Sequence, residues 1–291
     1  AHIYHGIFGS HVANVLRRLK RVLQMYNLKP HFICTSATIG NAKPFIENLV
    51  EEKFELFEND YSPQGKKRIV FFNPPIINED LGIRKSLNEE VTRIVNEFIS
   101  HNVQTLVFKV TRKDVEKSLK IIKELNPLRS NEFASAYRSG YLAEDRRKLE
   151  DDFRSGRINV LFSTNALELG IDIGGLQSVI LSGYPGTISS TLQQIGRAGR
   201  KQSEALAILV ASSNPIDQYI IKRPEYLFVR TPENALINPN NPNILIEHLK
   251  IALGELSFVE EENFGNLIWD QIVEYMDQLV HEGFAVKNKN K

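Results

Sequence analysis

Cysteine occurs once in the 291 residues, methionine twice and tryptophan once. A single cysteine, Cys34 in the apolar run HFIC, excludes an internal disulfide and a multi-cysteine metal cluster, and reads as a buried structural thiol in a reducing cytoplasm. No apolar run approaches the roughly 18 residues that a membrane-spanning helix needs, so the expectation is a soluble protein with no membrane partner. Net charge is also missing: 36 Lys and Arg stand against 35 Asp and Glu, a formal +1. Any nucleic-acid contact must therefore come from local basic groups rather than from the charge of the whole chain. There is no Gly-x4-Gly-Lys-Ser/Thr loop to cradle phosphates. Nor is there a start methionine or a basic segment leading into an apolar one, so no secretory leader is read, and the start resembles a cut end.

What is present concentrates in residues 158–200, INVLFSTNALELGIDIGGLQSVILSGYPGTISSTLQQIGRAGR. The stretch ends in Gln193-x-x-Gly196-Arg197-x-Gly199-Arg200. A guanidinium is a permanent charge with a planar fork of donors that matches phosphate, and flanking glycines let backbone approach a ligand closely. Arginines presented in this way suit a triphosphate.

Taken in order, residues 10–26 place Val12, Val15, Leu16, Leu19, Val22, Leu23 and Tyr26 at helical spacing. Arg17, Arg18, Lys20 and Arg21 then form the opposite side, read as a solvated face. HFICT reads as a short strand running into Ser36-Ala37-Thr38, with a helix at 42–50. The turn-rich 51–65 segment marks a boundary. From 67 to 211 strands and helices alternate: strands at 67–73, 105–110, 134–137, 158–163, 178–182 and 206–211, with helices between them. This is the pattern of βαβ units, a parallel sheet with helices on both faces. Thr111 and Arg112, Thr164 and Gly183 follow strand ends, where such sheets bind ligands. Beyond 211, Asn214-Pro215 opens a further helix, an Asn/Pro-rich connector spans 234–243, and helices follow at 242–253 and 266–281. Trp269 and Tyr275, at helical spacing, read as packing residues.

STNALELGIDIG with QQIGRAGR resembles motifs V and VI of superfamily 2 DEAD/DEAH-box helicases, SAT at 36–38 resembles motif III, and TLVFKVTRKDVE resembles motif IV. YRSGYLAEDRRKLEDDFRSG resembles the segment after motif IV. Two further stretches, AHIYHGIFGSHVANVLRRLKR and IIKRPEYLF…ENALINPNNPNILIEHLK, are similar to the YprA-like bacterial DNA-repair helicases. The resemblance spans nearly the whole chain.

It implies a RecA-like α/β fold of the P-loop NTPase class. Residues 1–57 would be the end of a first RecA-like, ATP-binding domain, 58–213 the second RecA-like domain, and 214–291 a truncated helical extension. It also implies ATP-driven 3′-to-5′ movement along single-stranded or forked DNA in repair, with ATP and Mg²⁺ as cofactors of the full-length protein. The phosphate loop and magnesium carboxylates belong to the first domain in cis, so this chain alone is expected to bind neither tightly and to hydrolyse negligible ATP. Arg197 and Arg200 would be arginine fingers, with Gln193 positioning ATP or water. Gly170, Asp172 and His2 would lie at the nucleotide, and Ser36 and Thr38 would couple nucleotide state to domain closure. Thr111, Arg112, Arg138, Gly140 and Thr164 would grip the nucleic-acid backbone, although helix caps and turns use the same residue types. The first segment, torn from a larger sheet, would leave an apolar helix face open to self-association. Two other readings stand: an RNA helicase of the same superfamily, and a non-catalytic RecA-like nucleic-acid-binding module.

Overall fold

The computed structural model describes residues 2–59, 61, 65–129, 132–138, 140–168, 176–199 and 204–287. The chain divides into two compact units, one built from 60–232 and the other from 1–59 together with 233–291. The sequence reading separates 214–291 as one appendage. The structure instead leaves 214–232 with the sheet and gives the rest a core shared with the N-terminal segment.

In the 60–232 unit the chain runs β1 (Lys67–Phe72), β2 (Ile76–Asn78), β3 (Ile83–Arg84), α3 (Leu87–Ser100), β4 (Thr105–Phe108), α4 (Arg112–Leu125), β5 (Ala134–Tyr137) and α5 (Ala143–Arg154). It continues through β6 (Val160–Ser163), a 3-10 turn (Asn165–Leu167), β7 (Ser178–Ser182), α6 (Ile188–Gly196), β8 (Ala205–Val210), α7 (Pro215–Lys222) and α8 (Tyr226–Val229). Six strands form one sheet in the order β1-β8-β7-β4-β6-β5, and every pairing is parallel. Strands buried on both faces read as near-continuous apolar runs, as VILS and ALAILV do. Their alternate residues divide the core. Leu106, Val179, Leu181 and Leu209 meet Phe153, Ile188, Ile195 and Leu227 on one face. Val107, Ile180 and Ile208 meet Val91, Val95, Val115 and Ile122 on the other. This is the RecA-like α/β arrangement, with helices on both sides of the sheet. The small β2–β3 hairpin, antiparallel and unread in the sequence, follows Pro74-Pro75.

In the other unit α1 (Gly6–Met25) and α2 (Ala42–Val50) join α9 (Pro242–Glu255) and α10 (Trp269–His281). Two expectations are corrected here. HFICT is not a strand: residues 30–36 take no regular secondary structure, and Ile33 is exposed. The basic side of α1 is not solvated, because Arg17 and Arg21 are only 2% and 6% exposed. Arg17 pairs with Glu51, Arg21 with Glu262 and Arg18 with Glu255, so the helix buries its arginines on α9 and the neighbouring loops. Carboxylates gathered from both ends of the chain supply what a buried guanidinium requires. The apolar residues of α1 divide: Val12, Ala13 and Leu16 pack with Phe45, Ile46 and Leu49 of α2, while Phe8, Val15, Leu19 and Tyr26 are exposed. Trp269 and Tyr275 pack against the core of α9 and α10. Cys34 is half-buried, and partial burial pushes its thiol pKa up.

Candidate nucleotide and nucleic-acid edge

All six strands run the same way, so the segments that follow them gather along one edge. The connection after β4 leaves toward β5, whereas the connection after its neighbour β7 leaves toward β8. Where neighbouring connections diverge a crevice opens at the carboxyl ends, the usual ligand position in such sheets. A cavity of about 180 Å³ lies there, lined by residues that include Lys109, Asn165, Glu168, Ser182 and Gln194.

Lys109 is 4% exposed, and its ammonium donates to Asn88 Oδ1 (2.9 Å) and Ser182 Oγ (3.2 Å). Burial draws its pKa down to about 8. The sequence reading passed over it, although a lysine closing the apolar run TLVFK was the available signal. Glu168 was missed too; its carboxylate accepts from Gln194 Nε2 at 3.0 Å.

Helix α6 starts where Thr187 Oγ1 accepts from the Ser190 amide at 3.0 Å, an N-cap that fixes the direction of the helix. Gln193 and Arg197 lie at its far end. Gln193 donates to Ser189 Oγ (2.9 Å), while its amide oxygen is buried with no hydrogen-bond partner among the described residues. Arg197 is 5% exposed and is turned inward, its Nε donating to the Glu168 carbonyl at 3.1 Å and its Nη2 to the same oxygen. The guanidinium thus ties the segment after β6 to the end of α6. Gly170, Asp172 and Arg200 lie outside the described residues.

The residues expected to grip a nucleic-acid backbone follow strands of the same edge, in different local roles. Thr111 is the N-cap of α4, accepting from the Asp114 amide (3.1 Å) and donating to its carboxylate (2.7 Å). Arg112 is the exposed first residue of that helix. Arg138 follows β5 and donates through Nε to Glu116 Oε1 at 2.8 Å. Gly140 sits in an exposed turn with open space around it. Thr164 precedes the 3-10 turn with its hydroxyl unused as a cap.

In the other unit, His2 Nδ1 accepts from the Ala37 amide at 2.8 Å, which brings His2 to the Ser36–Thr38 segment. His2 thus meets the backbone between Ser36 and Thr38, and all three residues belong to the unit built from both ends of the chain.

Residues 87–202 match the helicase conserved C-terminal domain. The sheet unit carries a helicase C-terminal domain. Its match runs from α3 past Arg200, so it includes β4, β6, β7 and α6 and the edge they form. Likeness extends beyond that domain. The chain is 49% identical over 95% of its length to the ATP-dependent helicase YprA of Bacillus subtilis, covering 37% of that protein. It is 35% identical over 98% of its length to the ATP-dependent helicase hrq1 of Schizosaccharomyces pombe, covering 28% of it. Among solved structures, the helicase MrfA bound to DNA is similar with a TM-score of 0.94 and 47% identity, across 99% of this chain and 38% of that one. MrfA bound to DNA and AMPPNP gives a TM-score of 0.92 at 47% identity, across 100% of this chain and 40% of that one. The chain thus spans about two fifths or less of the length of these relatives.

Proposed function

We propose that this chain is the second half of an ATP-driven DNA helicase motor, working 3′-to-5′ on single-stranded or forked DNA in repair. The observation that carries the reading is the shared carboxyl edge, where Gln193 holds a buried acceptor oxygen with no partner among the described residues beside the helix end that bears Arg197. An unpaired buried acceptor costs free energy unless something else satisfies it, and a bound nucleotide or its attacking water offers the hydrogen. ATP supplies the free energy for movement. Arg197, already braced on Glu168, and Arg200 bring fixed positive charge to the triphosphate, while Mg²⁺ and the phosphate loop come from a first RecA-like domain. Arg112, Arg138, Thr164 and the turn at Gly140 hold the strand by its phosphates, which gives grip without base reading. The likeness to a helicase solved with DNA and AMPPNP supports both halves of the reading.

The exposed stripe of α1 is assigned to contact with the rest of that first domain. Alone, the chain is then expected to self-associate through it, visible as a concentration-dependent mass in light scattering.

The deciding experiment uses the longer protein to which we assign this chain. Arg200→Ala should lower DNA-stimulated ATP turnover on the order of 10³-fold or more, as loss of an arginine finger does. Stimulation by single-stranded DNA should exceed that by RNA. Unchanged turnover in that variant, or helicase-like turnover by residues 1–291 alone, would overturn the proposal.

A further inference from the structure

Asp217 is a buried carboxylate, 4% exposed, on the first turn of α7. It sits among backbone amides: Oδ1 accepts from the Tyr184 amide at 3.2 Å and Oδ2 from the Ser212 amide at 2.7 Å. Two such donors, together with the positive end of the α7 dipole, stabilise the charge away from water. Its neighbour Gln218 donates to the Ser212 carbonyl at 2.7 Å and exchanges two amide hydrogen bonds with Asn73, both at 3.0 Å. Asn73 follows β1, Ser212 follows β8 and Tyr184 follows β7. These are three consecutive strands in the sheet, β1-β8-β7.

The pair therefore closes the carboxyl ends of half the sheet with one dipeptide. The third of those ends matters most. Gly183 is held at φ +88°, and a Cβ there would stand 3.3 Å from Asp217 Oδ2. From that fixed point the loop through Tyr184, Pro185 and Gly186 runs directly into α6, which carries Gln193 and Arg197. The Gly183 amide is itself tied to the Val210 carbonyl at 2.9 Å.

We infer that Asp217 and Gln218 are positioning residues, which set where the β7 loop launches α6 and so where Gln193 and Arg197 are delivered. The catalytic meaning of that placement rests on the motor reading above; the placement itself can be read in this chain alone.

Two measurements test it. In residues 1–291, Asp217→Asn puts an amide donor against one of the two backbone N–H groups, and hydrogen exchange in α6 should speed up at 188–196 while β4 and α3 keep theirs. In the longer protein the same variant should lower kcat for DNA-stimulated ATP turnover on the order of 10- to 100-fold, the scale of a misplacement near 1 Å, with KM for ATP within about twofold. Val95→Ala is the control for general loosening: Val95 is fully buried on α3, on the opposite face of the sheet. It should destabilise the unit yet leave kcat intact. Should Asp217→Asn fail to fold, Gln218→Leu, which keeps the carboxylate, should show both effects in smaller measure. Unchanged exchange in α6, or an equal kcat loss in Val95→Ala, overturns the inference. Unchanged turnover in Arg200→Ala instead overturns the motor reading, and the exchange result still decides the positioning.

Discussion

Lys109 holds a charge where its strand is otherwise apolar, and the sheet is less stable for it. The ordinary lysine value is 10.5 and burial takes this one to about 8. Between those values the unfolded chain binds more protons than the folded one, so stability rises with pH across that window, and below about 8 the full cost is present. The shift corresponds to roughly 3 kcal/mol. Urea unfolding of the sheet unit, followed by circular dichroism, should therefore show increasing stability from pH 8 to 10, and Lys109→Met should remove most of that slope. A lysine kept at such a cost on the ligand edge is what functional placement looks like at the level of one side chain. Gln193 is a second case, since its buried oxygen has no partner among the described residues. The motif spacing marked Gln193 in the sequence. Lys109 went unmarked because a lysine closing an apolar run is a signal that does not by itself say whether the side chain turns inward or out.

Among the elements, α1 separates what patterning can read from what it cannot. Helical spacing located it, but burial of the arginine seam depends on Glu51, Glu255 and Glu262, remote in sequence and visible only once the ends of the chain meet. The six parallel strands were legible because burial on both faces writes a plain apolar run. The β2–β3 hairpin, three and two residues long with mostly exposed side chains, leaves no such mark. Gly265 completes the α1 seam, with φ at +64° and a Cβ position 2.0 Å from Glu51 Oε2. Arg17→Ala should cost about 3–5 kcal/mol by stranding the Glu51 carboxylate, while the double change Arg17→Met with Glu51→Met should recover most of it. Thermal melts of the four members of that cycle give the coupling.

Over the whole molecule, one unit is continuous in sequence and the other is made from both ends. The second also carries an acid-sensitive contact. His248 is 5% exposed, with Nε2 3.0 Å from His11 Nδ1 and Nδ1 3.4 Å from Arg18 Nη1, while Arg18 pairs with Glu255. Burial first, then the charges of Arg18 and His11, take its pKa from 6.5 to about 4. The unfolded chain then binds more protons between those values, so stability is complete above about 6.5 and falls as the pH drops toward 4. Trp269, the single tryptophan, belongs to this unit. Its fluorescence should report loss of structure on acidification while hydrogen exchange in β4, β6 and β7 stays slow, and His248→Gln should flatten the fluorescence change.

A unit assembled from both ends also has a schedule. On a ribosome adding about 5–20 residues per second, the 60–232 stretch takes roughly 10–35 s to appear. Throughout that interval Arg18 and Arg21 of α1 lack their carboxylates, while the sheet has time to finish folding. The acidic partners Glu255 and Glu262 emerge only after the whole sheet unit. Chaperone capture of nascent chains should accordingly peak before residue 255 leaves the exit tunnel and fall sharply afterwards.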